Sequence, residues 1–297
     1  MFKNVLVGVD GRPGGRDAVA LAARLLAPAG GLTLAHVHSG ELRPAHAATP
    51  RMVGEERDAS RELLERERDA AGVDAELVSV VSFTPGRGLH EQAEQRDADL
   101  LVVGSCGRGL LGRAMAGDDT RAALNGAPCA VAIAARGYAE SQAPLARIGV
   151  GYDGSPESEA ALATAEALAA PTHAAVHALQ VVSIPTYSYT GIMPPAIGES
   201  IDILLHDAEE RMRKLQGAHG RAVYGLTGEE LAAFGDELDL LVVGSRSYGP
   251  VKRLVLGSTS HYLQRHARCS LLVLPRPETP AGEAAAVQAD DATHVTH

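Results

Sequence analysis

The sequence predicts an α/β protein built of two tandem doubly wound domains, each a mostly parallel five-stranded sheet with helices on both faces. Three observations carry this expectation. At 297 residues the chain is long enough for two ordinary domains, each with its own core. One stretch is written twice: residues 100–136 read LLVVGSCGRGLLGRAMAGDDTRAALNGAPCAVAIAAR and residues 240–276 read LLVVGSRSYGPVKRLVLGSTSHYLQRHARCSLLVLPR, a constant offset of 140 positions with no gap. Short apolar runs alternate with helical patterns along both halves, and that alternation implies a parallel sheet covered on both faces.

In the first half, residues 3–10 (KNVLVGVD) form a strand ending in Asp10, followed by a turn over 11–15. Residues 16–27 carry apolar residues at helical spacing, and 32–38 (LTLAHVH) are the next strand. The charged segment 55–71, with Leu63 and Leu64 on one side, reads as a surface helix. A third strand follows over 75–81, a short helix over 89–95 and a fourth strand over 100–103. The Gly-rich loop, a helix near 119–125 and a fifth strand over 130–135 complete the half. The second half repeats the order: strand 148–153, ending in Asp-Gly, an Ala-rich helix over 157–169, and strand 176–182. An irregular Pro/Gly/Tyr-rich stretch over 184–198 precedes a helix over 201–216. A short strand over 222–224, a helix over 228–234 and strands over 238–243 and 270–274 close the series. The domains are therefore set at 1–142 and 145–276, with the linker in 136–146. Residues 277–297 lack periodicity and read as a disordered tail.

Composition narrows the function classes. The chain is 45% hydrophobic and 22% charged, as a globular soluble protein is, and its formal net charge of −10 argues against coating a polyphosphate backbone. Trp is absent and aromatics are 3%, which leaves few platforms for stacking bases, so no nucleic-acid partner is expected. No run of about 18 apolar residues is present, so no membrane span is expected. The N-terminus lacks the long apolar core of a signal peptide. Three widely spaced cysteines make no disulfide framework. A cytoplasmic location is expected.

Both copies of the repeat open with Leu-Leu-Val-Val-Gly-Ser, an apolar run ending in a turn, as a buried parallel strand does. Gly117 and Gly257 lie ten positions beyond Gly107 and Ser247, and each is followed by a small polar residue of the helix-capping type, Asp118 or Ser258. Such a loop exposes backbone N–H groups at its Gly-rich turn and again at the start of the next helix. Together with the helix dipole these donors make an anion site, suited to phosphate. Ligands of open α/β sheets sit at the carboxyl ends of strands, where Asp10, Val37 and the loop from Gly104 fall.

The pattern G-x-x-G-x9-G-[ST] after the last-but-one strand resembles the nucleotide loop of the universal stress protein family, and the resemblance covers nearly all of residues 1–276. It implies an adenine nucleotide alpha hydrolase-like fold and a regulatory protein that binds ATP or another adenine nucleotide, with Mg2+ as a companion ion. It further implies that the Asp ending strand one and a backbone group of the apolar residue after strand two meet the adenine. By position these are Asp10 and Val37, and Asp153 and Val181, with Gly11 and Gly154 in the turns. The phosphate positions are then Gly104, Gly107, Gly117 and Asp118 in the first half, and Gly244, Ser245, Ser247, Gly257 and Ser258 in the second. In relatives the last strands often pair across a pseudo-twofold. Here that implies intramolecular pairing of 130–135 with 270–274, and the sequence leaves open a homodimer as further assembly.

Each half departs from the pattern. Asp118 places a carboxylate where phosphate would sit, and like charges repel; as a helix N-cap it is at home. Ser247 replaces the second Gly but keeps its amide, which serves if its φ is negative. Domain 2 is accordingly the expected site. Asp10 and Asp153 also read as turn formers beside Gly. Two other classes stay open. A slow ATP hydrolase would need a positioned base or metal carboxylates, for which no added motif is present. An interaction scaffold that lost the nucleotide is favoured by the two departures.

Gly107 to Gly112 also matches G-x-G-x-x-G, but it follows the fourth strand rather than the first. A Walker loop needs Gly-Lys-[Ser/Thr], and Lys3, Lys214 and Lys252 do not fit. Arg108, Arg113, Arg246 and Arg253 could supply positive charge near phosphates or merely a solvated helix face. His36 and His38 share one face of a strand, without a third metal ligand. Cys106 lies in the loop, while Cys129 and Cys269 read as buried small residues.

Overall fold

A computed structural model describes residues 1–38, 50–105, 122–123, 125–141, 143–183, 195–245, 253–254 and 257–277, without the side chains of 50–53 and 195–200. Gly107, Gly117, Asp118 and Ser247 lie outside the described residues, as do Cys106, Arg108, Arg113, Arg246 and Lys252. The tail beyond residue 277, the stretch 184–194 and most of the helix expected near 119–125 lie outside them too.

The first half contains β1 (Phe2–Gly8), α1 (Pro13–Leu25), β2 (Leu26–His38), α2 (Pro50–Ala71), β3 (Glu76–Val81), α3 (Pro85–Gln95), β4 (Leu100–Gly104) and β5 (Ala130–Ala134). A 3-10 turn, Tyr138–Glu140, leads to the second half. There follow β6 (Arg147–Gly151), α4 (Pro156–Ala169), β7 (Ala175–Val182), α5 (Pro195–Lys214), β8 (His219–Tyr224), α6 (Thr227–Phe234), β9 (Leu240–Gly244), α7 (Ser258–His266) and β10 (Ser270–Leu274).

All ten strands form one sheet in the order β3-β2-β1-β4-β5-β10-β9-β6-β7-β8. Neighbours within each half run parallel, for example β1 with β2 and β4, and β6 with β7 and β9. The halves meet through β5 and β10, which are antiparallel with Leu272 opposite Ala132. The two five-stranded sheets are thus continuous across a pseudo-twofold axis, and the last strand of each is an interior strand rather than an edge.

The Leu-Leu-Val-Val runs are apolar at every position because both faces are covered. Along β4, Leu100 and Val102 point into one core layer and Leu101 and Val103 into the other; β9 repeats this with Leu240, Val242 and Leu241, Val243. Each core layer runs through both halves. One holds residues of α1 and α4 (Leu21, Leu25, Leu162, Leu168), the other residues of α3, α6 and α7 (Leu89, Leu231, Leu263).

A repeated acidic pin sets the strand starts. Asp99 accepts the amides of Lys3 and Asn4 at 2.7 and 2.9 Å, and Asp239 accepts those of Ala146 and Arg147, both at 2.8 Å. The buried Asp17 of α1 accepts the Gly137 and Ala139 amides, fixing the linker against the first half.

Several boundaries differ from the sequence reading, each for a local reason. Strand β2 begins at Leu26, where Leu26 pairs with Phe2 before an irregularity restores register at Asn4 and Gly31. Helix α3 starts at Pro85 rather than 89, because Thr84 caps it through the Arg87 amide and proline fits the first turn. Helix α2 starts at Pro50 and α5 at Pro195, so residues 195–198 are helical and not irregular. Strand β8 reaches back to His219.

Candidate functional site

The sequence motifs converge on the carboxyl ends of β6, β7 and β9. A cavity of about 650 Å³ opens there, lined by Asp153, Val181, Gly244, Gly257 and Ser258, with Ser155 and Glu157 from α4, Thr227 and Leu231 from α6, and Arg276 beyond β10. Val181 and Leu231 belong to one core layer, so this side is apolar. The opposite side carries hydroxyls and two helix starts.

Those two starts differ. Ser155 caps α4: its side chain accepts the Ser158 amide at 3.3 Å, and Ser158 Oγ donates to the Ser155 carbonyl at 2.8 Å. Helix α7 has Gly257 at its N-cap, with φ −73° and ψ 170°, and no side-chain cap. Ser258 is therefore the first helical residue and not the cap, a correction to the sequence reading. A glycine cap leaves the first-turn amides without a side-chain acceptor. Among the described residues no acceptor is recorded for the Ser258, Thr259 and Ser260 amides, and these three residues line the cavity.

The Asp-Gly pair builds the same turn in each half. Asp153 Oδ1 accepts the Ser155 amide at 3.0 Å, and Asp10 Oδ1 accepts the Arg12 amide at 3.0 Å. The glycines that follow are left-handed, Gly154 at φ +79° and Gly11 at φ +72°. Just before each turn, the amides of Tyr152 and Val9 extend the sheet to Leu179 and Ala35.

Gly244 serves close packing. A Cβ there would lie 2.7 Å from Glu157 Cβ and 2.8 Å from the Glu157 carbonyl oxygen. Gly104 approaches Gly14 in the same manner. The amides of Ser245 and Ser105 are engaged by the Leu274 and Ala134 carbonyls at 2.9 and 3.3 Å, so both continue the sheet.

Glu157, Arg276 and Tyr152 are polar residues at the cavity that the sequence does not single out. Glu157, largely buried, pairs with the more exposed Arg276, Nε to Oε1 at 3.3 Å. Tyr152 donates its hydroxyl to Glu159; desolvation first, then that carboxylate, push the phenol up to about 12. Arg276 left one signal: Arg136 stands at the same offset of 140 in the first half. Glu157 left none, because its counterpart approaching the strand-end glycine is Gly14.

In the first half, Asp10, Gly11, Val37 and Gly104 stand at the carboxyl ends of β1, β2 and β4, and the remaining loop positions lie outside the described residues. His36 and His38 do share a face, and their rings bind serines: His36 Nδ1 to Ser60 Oγ at 2.9 Å and His38 Nε2 to Ser79 Oγ at 2.8 Å, with Ser79 Oγ donating to Ser60 Oγ at 2.9 Å. Cys129 and Cys269 are buried, and loss of solvent pushes each thiol up to about 12, so neither is a ready nucleophile.

The model of the universal stress protein family matches residues 1–135 and 145–275. The chain belongs to the universal stress protein family. A universal stress protein of Mycobacterium tuberculosis is 30% identical over 216 residues, covering 69% of this chain and 72% of the relative. A second from the same organism is 27% identical over 287 residues, covering 93% and 97%. Among solved structures, a universal stress protein from Archaeoglobus fulgidus DSM 4304 superposes with a TM-score of 0.63 at 16% identity, covering 92% of this chain and 98% of that one. This universal stress protein is therefore a tandem form whose two domains share a single sheet. Among the described residues no helix is long and apolar enough to cross a membrane.

Proposed function

We propose that this universal stress protein is a regulatory protein that binds an adenine nucleotide, ATP in the first instance, in the cavity of its second domain. The observation that carries the reading is the glycine-capped start of α7, whose first-turn residues Ser258, Thr259 and Ser260 face that cavity. Backbone donors at a helix start, favoured by the dipole, suit the phosphate chain. Arg276 adds a cationic group at the same edge. The base lies between Val181 and Leu231, with the Asp153 carboxylate as acceptor for an exocyclic amine and the Val181 backbone as its second partner. Gly154, Gly244 and Ser245 shape this site rather than grip the ligand. Ser247, outside the described residues, is the further loop position expected to offer its amide to phosphate.

The first domain, with Asp10, Gly11, Val37, Gly104, Gly107, Gly117 and Asp118, is the weaker candidate because Asp118 opposes phosphate. Among the described residues no group of three or more His, Cys, Asp and Glu is placed to hold a metal ion. A Mg2+ ion, where present, would accompany the phosphates as their counter-ion. The protein acts in the cytoplasm by changing the conformation that partners meet, and pairing of β5 with β10 leaves β3 and β8 as the outer edges available to a second copy.

The test is direct. Purified chain is denatured and the supernatant assayed for ATP, ADP and AMP, and nucleotide-free chain is titrated with ATP by calorimetry. Binding near one equivalent supports the reading. No binding, with no heat stabilisation by millimolar ATP, replaces it with an interaction scaffold.

A further inference from the structure

Between Ser245 and Gly257, the described residues Arg253 and Leu254 touch the first domain. Leu254 is fully buried, and its backbone is bracketed on both sides: its amide donates to the Ala127 carbonyl at 2.8 Å, and its carbonyl accepts the Gly126 amide at 2.8 Å. Beside it, Arg253 donates to Glu94 Oε1 at 2.6 Å from Nη2, and to the Gly126 carbonyl at 3.2 Å from Nη1. Arg253, one of the arginines that could have supplied charge to phosphate, thus faces α3 of the other domain. Leu254 stands three positions before Gly257, the cap of α7. Only two residues of sequence separate Leu254 from that cap.

We propose that the first domain positions the phosphate-binding helix start of the second, with Glu94 and Gly126 as positioning residues for a nucleotide they do not touch. This inference rests on the nucleotide reading of the second domain. Two backbone hydrogen bonds and full burial hold Leu254 in place, and the Arg253–Glu94 ion pair stands beside it. Gly126 is left-handed at φ +88°, and the bracket needs that turn. The device is asymmetric in sequence: at the offset of 140, His266 stands where Gly126 does, and Ala114 where Leu254 does. His266 is the last residue of α7 and its ring meets the Tyr262 carbonyl, so the second domain offers no equivalent glycine turn. Linkage makes the effect reciprocal: whatever the bracket adds to nucleotide affinity, nucleotide adds to the bracket.

The experiment is calorimetric titration of the full chain with ATP, comparing wild type with Glu94→Arg, Arg253→Glu, the double swap and Gly126→Val. The single charge reversals are expected to raise the dissociation constant about fivefold or more, as couplings between sites commonly do, and the swap to recover part of that loss, the Gly126 carbonyl staying without its Arg253 donor. Gly126→Val should weaken binding too. A Cβ there would meet only His90 Cε1, at 3.9 Å, so the change acts through the turn and not through a clash. ATP should also slow amide exchange at Gly126 and Leu254 by more than at core amides that exchange through global unfolding, an excess that a merely structural contact would not show. If wild type binds ATP and all four variants bind equally well, or the swap binds no better than the single reversals, the positioning role is overturned and the nucleotide reading stands. If wild type binds no ATP, both are overturned.

Discussion

Gly244 and Glu157 touch so closely that a methyl group on the glycine would come within 2.7 Å of Glu157 Cβ. The end of β9 and the first turn of α4 are pressed together there, and the cavity takes its shape from that contact. Gly244→Ala should destabilise the chain by about 1–3 kcal/mol through overpacking and weaken ATP binding as α4 is displaced. Gly154→Ala is the control: its Cβ would meet open space, so the cost of about 1–2 kcal/mol comes from the left-handed backbone alone. Denaturant unfolding with and without ATP separates the two.

Ser258→Asp puts a carboxylate at the first helical position of α7. It should leave the fold intact, since acidic residues suit a helix start, yet weaken ATP roughly tenfold or more by repulsion of the phosphates. Ser258→Ala keeps the amides and should change affinity little. Equal affinity for all three proteins in calorimetry would move the site away from this helix.

Arg276 and Glu157 form a pair whose members should act oppositely on nucleotide. Arg276→Ala removes the cation and leaves the Glu157 carboxylate, largely buried, beside the cavity; ATP affinity should fall several-fold, more at low ionic strength. Glu157→Gln should tighten binding or leave it unchanged, and the double variant should lie between. Titrations at two salt concentrations check this.

Stability should depend on pH through His36. Burial first, then His38, lowers its pKa below the ordinary 6.5, with Asp10 opposing. The unfolded chain therefore takes up a proton at a higher pH than the folded chain does. Well above 6.5 both states are neutral at this site and nothing is lost; as pH falls through 6.5 toward the folded-state pKa, the unfolded state gains protons and stability drops. His177, whose pKa burial also lowers, acts in the same direction. His36→Gln is neutral throughout and should flatten the slope of unfolding free energy between pH 7 and 5, measured by urea titration.

How much was legible in the sequence follows from which forces leave a local mark. The runs at 100–104 and 240–244 were readable because burial on both faces removes polar residues altogether. The turns at Asp10 and Asp153 were readable because a left-handed residue after Asp calls for Gly. The first turns of α2, α3 and α5 were hidden by Pro50, Pro85 and Pro195, which look like breakers but sit at helix starts. The cap of α7 lies one residue before the polar Ser258 because Gly257 caps by backbone conformation and leaves no side-chain signature. Glu157 leaves no mark in the sequence as a site residue and Arg276 leaves only its repeat of Arg136: they come from segments far apart in sequence that only the sheet order brings together. The bracket around Leu254 belongs to the domain contact, and neither half alone encodes it.

The most direct test of the central claim is an amide-resolved NMR titration of the full chain with ATP. The account predicts that the Ser258, Thr259 and Ser260 amides shift first and saturate near one equivalent, while the Ser245 amide, already held by Leu274, moves little. Saturable ATP binding that leaves the α7 amides unmoved, or no binding at all, would contradict it.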